Sequence, residues 1–341
     1  MRFSPKTVGV AAAIVTVAIW TSFIVIARAT AHRNLTPLDI CLLRFAGAAL
    51  VLLPWGGWMV WRRTRDSRAA GLAVPPSWLA LSPLGFKLTA LIGSLGGLGY
   101  ACLAYSGFYF APAAHASVLL PGTLPLTTTL MAVLILKDRV TPVRAIGLSL
   151  IFLGDVLVGG ASLLQAWTQS GSQVWKGDVL FLGASTCWAV YSVLVRKHAL
   201  QAVQATIAIS VFAFVVYVPV YGLLTLSGAL ATQLASAPWG EILFQVVFQG
   251  MGSVVISGIS FTKMVQHFGP VRSTMITAVV PGLSALGAVL FLGEPLYWHL
   301  LAGLALVTVG ILFGVRVQPK PGLVVAPDLI AGRVDPTRAK A

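Results

Sequence analysis

Charge is the scarcest commodity in this chain. Only 9% of its 341 residues are Asp, Glu, Lys or Arg, against roughly 25% in a water-soluble domain. No soluble core could hide the rest, because 57% of the residues are hydrophobic and mean hydropathy is +0.90. The bilayer must solvate most of the side chains. Acidic residues are scarcer still, 9 against 23 Lys and Arg, for a formal net charge of +14. In a soluble protein that excess would suggest nucleic acid. Here no basic stripe is interleaved with exposed aromatics, so no nucleic-acid partner is expected, and the cations instead fall in short segments between apolar runs. The three cysteines, Cys41, Cys102 and Cys187, all lie within apolar runs. They offer neither metal-ligand spacing nor a disulfide framework, and no cofactor or metal is expected.

Signatures of membrane-embedded chemistry are missing too. There is no His-Glu-x-x-His; the nearest approach to Gly-x-Ser-Gly is Gly282-Leu283-Ser284-Ala285, and the nearest to Gly-x-Gly-Asp is Leu153-Gly154-Asp155. Without paired carboxylates or a phosphate-cradling Gly-rich loop, the enzyme reading lacks its residues and ATP cannot drive the chain directly. A channel would show a ring of like charges or a filter loop, and a scaffold or sensor a sizeable soluble domain. Neither is visible.

What is present is a series of apolar runs of about 20 residues, the length that crosses a bilayer. They fall near 8–28, 36–58, 87–109, 113–136, 142–161, 177–196, 205–226, 241–263, 270–292 and 297–316. The first is too long for a signal-peptide core and lacks a cleavage site, so it reads as an uncleaved helix. Of the 23 Lys and Arg, 19 lie on the side of the N-terminus and three on the other, with Arg44 inside a span. That bias predicts cytoplasmic N- and C-termini.

The fourth and fifth spans are written again as the ninth and tenth. Pro125, Asp138, Gly147 and Gly154 recur 156 positions later as Pro281, Glu294, Gly303 and Gly310. The first span of each half matches as well: Trp20, Phe23 and Arg28 correspond to Trp188, Tyr191 and Arg196. Five spans per half force the two copies to run oppositely through the membrane. The expected fold is therefore an all-α integral membrane protein of ten transmembrane helices, arranged as two inverted-topology five-helix repeats. Its units are 1–161 and 177–316, joined by a linker at 162–176 and followed by a disordered cytoplasmic tail at 317–341.

These features resemble the drug/metabolite transporter superfamily, specifically its EamA-type ten-helix members. The likeness rests on Ala18-Ile19-Trp20 and Cys187-Trp188-Ala189, on Leu43-Arg44-Phe45, and on the duplicated Pro-to-acidic-to-Gly ending. It implies a carrier in the bacterial inner membrane that moves an amino acid or similar small metabolite, often outward, by alternating access. An uptake or exchange carrier for another small organic solute is the alternative. Two departures stand out: Lys137-Asp138 replaces the family's Gly-Glu, and Gly154 is followed by Asp155.

Ionisable groups inside a span cost about 2.5–3.5 kcal/mol or more and so default to functional candidates. Arg44, His115 and Asp155 are such groups, with Asp39 at a span entry. One reading pairs Arg44 with Asp155 or Asp39 and lets His115 or Asp155 exchange a proton, since a desolvated carboxylate favours its neutral form. The other makes them a satisfied structural pair, with Asp39 and Arg44 reaching toward the headgroups and His115 bonding a backbone carbonyl. Trp20, Tyr100, Tyr105, Trp188 and Tyr191 lie well inside spans, away from the interfacial belts. As substrate-binding candidates they would line a shared cavity, Trp20 facing Trp188, with helix packing as the plainer reading. Gln245 and Gln249, one turn apart, form with Ser253 a polar stripe that lipid would not tolerate. Pro121, Pro125 and Pro281 are candidate hinges where helices four and nine break, or else static kinks. The expected partners are a small-molecule substrate, membrane lipid, and a proton or other ion for coupling.

Overall fold

A computed structural model describes residues 5–29, 34–168, 173–293 and 295–316. Among these, ten helical segments follow one another: α1 Pro5–Ala29, α2 Pro37–Ala69, α3 Phe86–Gly107, α4 Ala113–Leu136, α5 Pro142–Thr168, α6 Val174–Lys197, α7 Ala202–Leu226, α8 Trp239–Phe268, α9 Pro270–Leu292 and α10 Trp298–Arg316. Nine of them are long and apolar enough to cross a membrane, and α10 is a shorter apolar helix. The ten agree with the apolar runs to within a few residues, except at two ends. Helix α2 continues eleven residues past its apolar run, carrying Arg62, Arg63, Arg65 and Arg68 on an exposed extension, where Arg63 donates to the Pro83 carbonyl at 3.0 Å. Helix α5 reaches Thr168, taking in half of the segment expected as a linker. The segment 317–341, expected as a tail, lies outside the described residues, as does Glu294.

The packing repeats itself between the halves. Helix α1 rests on α8 and α9, and α6 rests on α3 and α4. Helix α2 packs on α8, and α7 on α3, while α5 and α10 share the most extensive contact. Exchanging the five helices of one half for those of the other maps each of these contacts onto another, as an inverted repeat requires.

The register of that exchange is set by glycines. A Cβ placed on Gly147 would lie 2.8 Å from the Gly310 carbonyl oxygen, and one on Gly310 would lie 2.7 Å from that of Gly147. Gly154 and Gly303 answer each other identically at 2.7 Å. The 156-residue displacement turns the first pair into the second. Bare backbone faces bare backbone here, so the two helices approach as only glycine permits. Gly93 and Gly97 likewise admit the Phe212 and Ile209 side chains, and Gly314 admits Met275.

Helices α4 and α9 also end alike. The terminal residues Lys137 and Gly293, 156 apart, both adopt left-handed backbone (φ 59° and 70°), and their N–H groups donate to the equivalent carbonyls of Ala132 and Ala288. Gly293 takes this shape freely, whereas at Lys137 the β-carbon crowds the backbone, at about 1–2 kcal/mol. Glycine's extra freedom in the unfolded chain offsets about half of that. Lys137→Gly should therefore raise the thermal midpoint of the detergent-solubilised protein by about 0.5–1 kcal/mol equivalent, and Gly293→Lys should lower it by a similar amount. A shift of both variants in the same direction would refute the shared end geometry.

Candidate functional site

Three of the helices loosen where the halves meet, two of them at glycine clusters. Ser94–Gly99, Val118–Gly122 and Val246–Ile256 widen to π-helical turns, a feature common at functional sites. Displaced by 156, the first falls on 250–255, inside the third. The counterpart of the second is the break between Thr277 and Val280 in α9. Each break lies just before a proline, and Pro125 and Pro281 occupy the first turn of the helix that follows. These two prolines start helices instead of kinking them, a tolerated place because the missing N–H has no partner to lose. Only Pro121 sits inside a loosened turn.

The second and third of these turns help wall a cavity whose empty space, open solvent included, is about 560 Å³. Its apolar lining is Trp20, Phe23, Ile24, Leu120, Pro121, Leu124 and Val280, with Tyr100 and Trp188; its polar lining is Arg44, Ser185, Ser253 and Ser257. A second hollow of about 400 Å³ shares Arg44, Trp188 and Ser253 and adds Tyr191, Thr206 and Ser210.

Trp20 and Trp188 meet edge to face with ring centroids 5.8 Å apart. Phe261 stacks on Trp20 at 5.3 Å, and Tyr100 approaches Trp188 at 4.9 Å. The Trp20 indole donates to Ser257 Oγ at 3.3 Å, and the Tyr191 hydroxyl shares a 2.8 Å hydrogen bond with Thr262. The pairing of equivalent tryptophans, expected from the sequence, is present. Phe261 escapes the sequence reading because nothing polar or charged marks it.

Arg44 is 8% exposed and lines both hollows. Its guanidinium donates to Gln249 Oε1 at 3.4 Å, and the Tyr105 hydroxyl donates to the same oxygen at 2.9 Å. Gln249 and Tyr105 therefore sit behind the cation as its orienting shell, outside the cavity lining. Gln245, one turn away, is buried with no partner for Oε1 among the described residues, also outside the lining. Of the polar stripe on α8, only Ser253 reaches the cavity.

The expected ion pair of Arg44 with Asp39 or Asp155 does not form. Asp39 is engaged elsewhere: its carboxylate accepts from the N–H groups of Thr36 (3.0 Å) and Gln233 (2.9 Å), from the Thr232 hydroxyl (2.9 Å), and from the Tyr221 hydroxyl. It caps α2 through Thr36 and clasps the loop after α7 to that helix start. The reading of Asp39 as snorkelling to the headgroups fails for the same reason, since it is 0% exposed. The His115 ring bonds no backbone carbonyl among the described residues. Its Nδ1 lies 2.8 Å from Asp178 Oδ1, both residues are buried, and neither lines the cavity. In the sequence Asp178 is a carboxylate at the start of an apolar run, where nothing distinguishes it from a residue at the membrane interface.

Asp155 is 3% exposed, and neither oxygen has a hydrogen-bond partner among the described residues. The carboxyl presses on Gly122, where a Cβ would lie 2.8 Å from Oδ2. Gly122 follows Pro121 of the cavity wall, so Asp155 stands directly behind the loosened turn of α4. On the face bearing most Lys and Arg, Asp138 at the end of α4 bonds Arg196 at the end of α6, 2.5 Å apart. That contact anchors the loop, as a carboxylate at a span end suggests. His267 Nδ1 bonds the Lys263 carbonyl on the same face.

Comparison with known proteins agrees with this fold. The chain matches the EamA-like transporter family over residues 7–160 and again over 175–316. "Uncharacterized transporter YyaM" of Bacillus subtilis (strain 168) is 24% identical over 226 residues, covering 65% of this chain and 70% of that protein. An "Uncharacterized transporter" of Archaeoglobus fulgidus is 29% identical over 183 residues, covering 53% of this chain and 55% of that one. A crystal structure of a protein 19% identical to this chain superposes with a TM-score of 0.63 over 92% of this chain and 98% of the other, a likeness of fold.

Proposed function

The chain belongs to the EamA-like transporter family and is a multi-pass membrane transporter, and from that premise we propose that it is an alternating-access carrier for a small organic solute. One observation carries the reading: the cavity is walled by Trp20 and Trp188, equivalent residues of the two oppositely running halves. A site on the axis relating the halves can open to either side when one half rocks against the other. The loosened turns and the proline-marked breaks supply the places where the walls can yield. The solute is of amino-acid size, as the family resemblance implies. The Lys and Arg bias supports placing the basic face, with both termini, in the cytoplasm of a bacterial inner membrane. Outward movement is the working direction, carried by the family resemblance alone. We assign coupling to protons exchanged at Asp155, the buried carboxyl behind the cavity wall.

Counterflow in proteoliposomes, run against a metabolite panel, tests the carrier. Trp20→Ala and Trp188→Ala should each slow exchange of the best substrate about three- to tenfold, the worth of an aromatic contact. Trp58→Ala, altering a side chain on the exposed surface of α2, should leave it unchanged. Full exchange in both cavity variants would remove the site.

A further inference from the structure

The lining residues of the two hollows carry one charge between them, and it is positive. Arg44 is buried, and no carboxylate among the described residues lies within ion-pair distance of it. Its hydrogen-bond partner is a neutral amide oxygen, Gln249 Oε1, at 3.4 Å. The chain does own buried carboxylates near these depths, but each is placed elsewhere. Asp39 is saturated by hydroxyls and backbone N–H groups, Asp178 holds His115, and Asp155 stands behind Gly122 on the far side of the wall. A cation taken out of water without a counter-charge is costly, and in a cavity of low polarity it attracts an anion more strongly than it could in water. A fixed fork of donors suits a carboxylate in particular.

The rest of the lining narrows the choice. Trp20, Tyr100 and Trp188 present flat apolar faces, and the remaining polar groups are serine hydroxyls. Nothing acidic is available to receive an ammonium group. A zwitterion would gain at Arg44, but its ammonium would find only the cation–π attraction of the rings, weaker than a carboxylate partner in a buried site, and would lie near the Arg44 charge. An organic amine would face Arg44 itself.

We propose that the substrate class is an organic monoanion: a single carboxylate on a flat or apolar body, bound with its carboxylate at Arg44 and its body against the Trp20 and Trp188 rings. This rests on the carrier reading for its meaning as transport, but the binding preference stands by itself. It also shifts the expectation away from amino acids toward their deaminated analogues.

A charge series built on one ring decides the matter. Binding of 3-phenylpropionate, phenylalanine, 2-phenylethylamine and 3-phenylpropanol to the purified full-length protein in detergent is followed by quenching of tryptophan fluorescence. The acid should bind at least tenfold tighter than the other three. Arg44→Gln should erase that preference, and Arg44→Lys, which keeps the charge, should retain most of it. Equal or tighter binding of phenylalanine or the amine would overturn the proposal, as would failure of the acid to bind or an unaltered preference in Arg44→Gln. Should Arg44→Gln not fold, the ranking by the unmodified protein decides alone. Charge discrimination without counterflow in proteoliposomes would sink the carrier and leave this inference standing. Counterflow of the amine or the zwitterion with no preference for the acid would do the reverse.

Discussion

Leucine at Gly154 should leave almost no folded protein. The first atom of any side chain there would fall 2.7 Å from the Gly303 carbonyl oxygen, 2.9 Å from the Val307 nitrogen and 2.6 Å from Val307 Cγ2. Two of these three are backbone atoms of α10, so no rotamer change relieves them and the helices must part. Parting also breaks the matching contact between Gly147 and Gly310 seven residues along, because the same pair of helices makes both. Overpacking of a fitted interior costs typically 1–3 kcal/mol. A clash of backbone with backbone at the largest interface between the halves should cost about 3 kcal/mol or more. Monodisperse protein recovered by size exclusion in detergent should fall at least tenfold in Gly154→Leu and equally in Gly310→Leu. Gly222→Leu, where nothing lies within 4 Å, should behave as the unmodified chain. Normal recovery of Gly154→Leu would mean that the glycine-to-glycine seam does not join the halves.

That seam is legible in the sequence because its cause is local: only glycine fits, so glycine is written at all four places. The same holds for Trp20 and Trp188, whose displacement between halves predicts their meeting. The π-helical turns are less visible. Gly96-Gly97 and Gly250-x-Gly252 mark loosened backbone, but a glycine pair in an apolar run reads equally well as a helix contact. Partners of the ionisable groups are not legible at all. Arg44 and Asp155 fall inside spans and Asp39 at a span entry, and such placement suggests ion pairs. The direction each helix turns its face is a tertiary fact, and it sends Asp39 to the loop containing Thr232, Asp155 to Gly122 and Arg44 to Gln249. His115 and Asp178 lie 63 positions apart in different halves and find each other for the same reason. Lys137 shows the opposite case. It departs from its counterpart in residue type, yet the fold imposes the counterpart's left-handed backbone on it.

Asp155→Asn should abolish accumulation driven by a pH gradient while sparing exchange. The carboxyl is buried without a hydrogen-bond partner among the described residues, and no Lys or Arg among them lies within ion-pair distance. On the helices packed against α5, the buried titratable groups His115 and Asp178 are committed to each other at 2.8 Å, and buried Tyr191 to Thr262 at 2.8 Å. An ionised carboxylate with no counter-charge is expensive in such surroundings, and a bound proton removes the expense. Loss of the proton therefore requires water or a rearrangement of the α4 turn against which the carboxyl packs. Because Gly122 adjoins Pro121 of the cavity wall, a change at Asp155 is felt where the solute sits, which is what coupling needs. A one-unit gradient supplies about 1.4 kcal/mol per proton, enough for about tenfold accumulation. Asparagine keeps the shape but cannot exchange a proton, so accumulation in proteoliposomes should collapse to the level without a gradient. Counterflow, which needs no proton movement, should persist within about twofold. Gradient-driven accumulation that survives intact in Asp155→Asn would take the residue out of the transport cycle. Loss of counterflow together with accumulation would make Asp155 a structural support of the wall instead of a proton carrier.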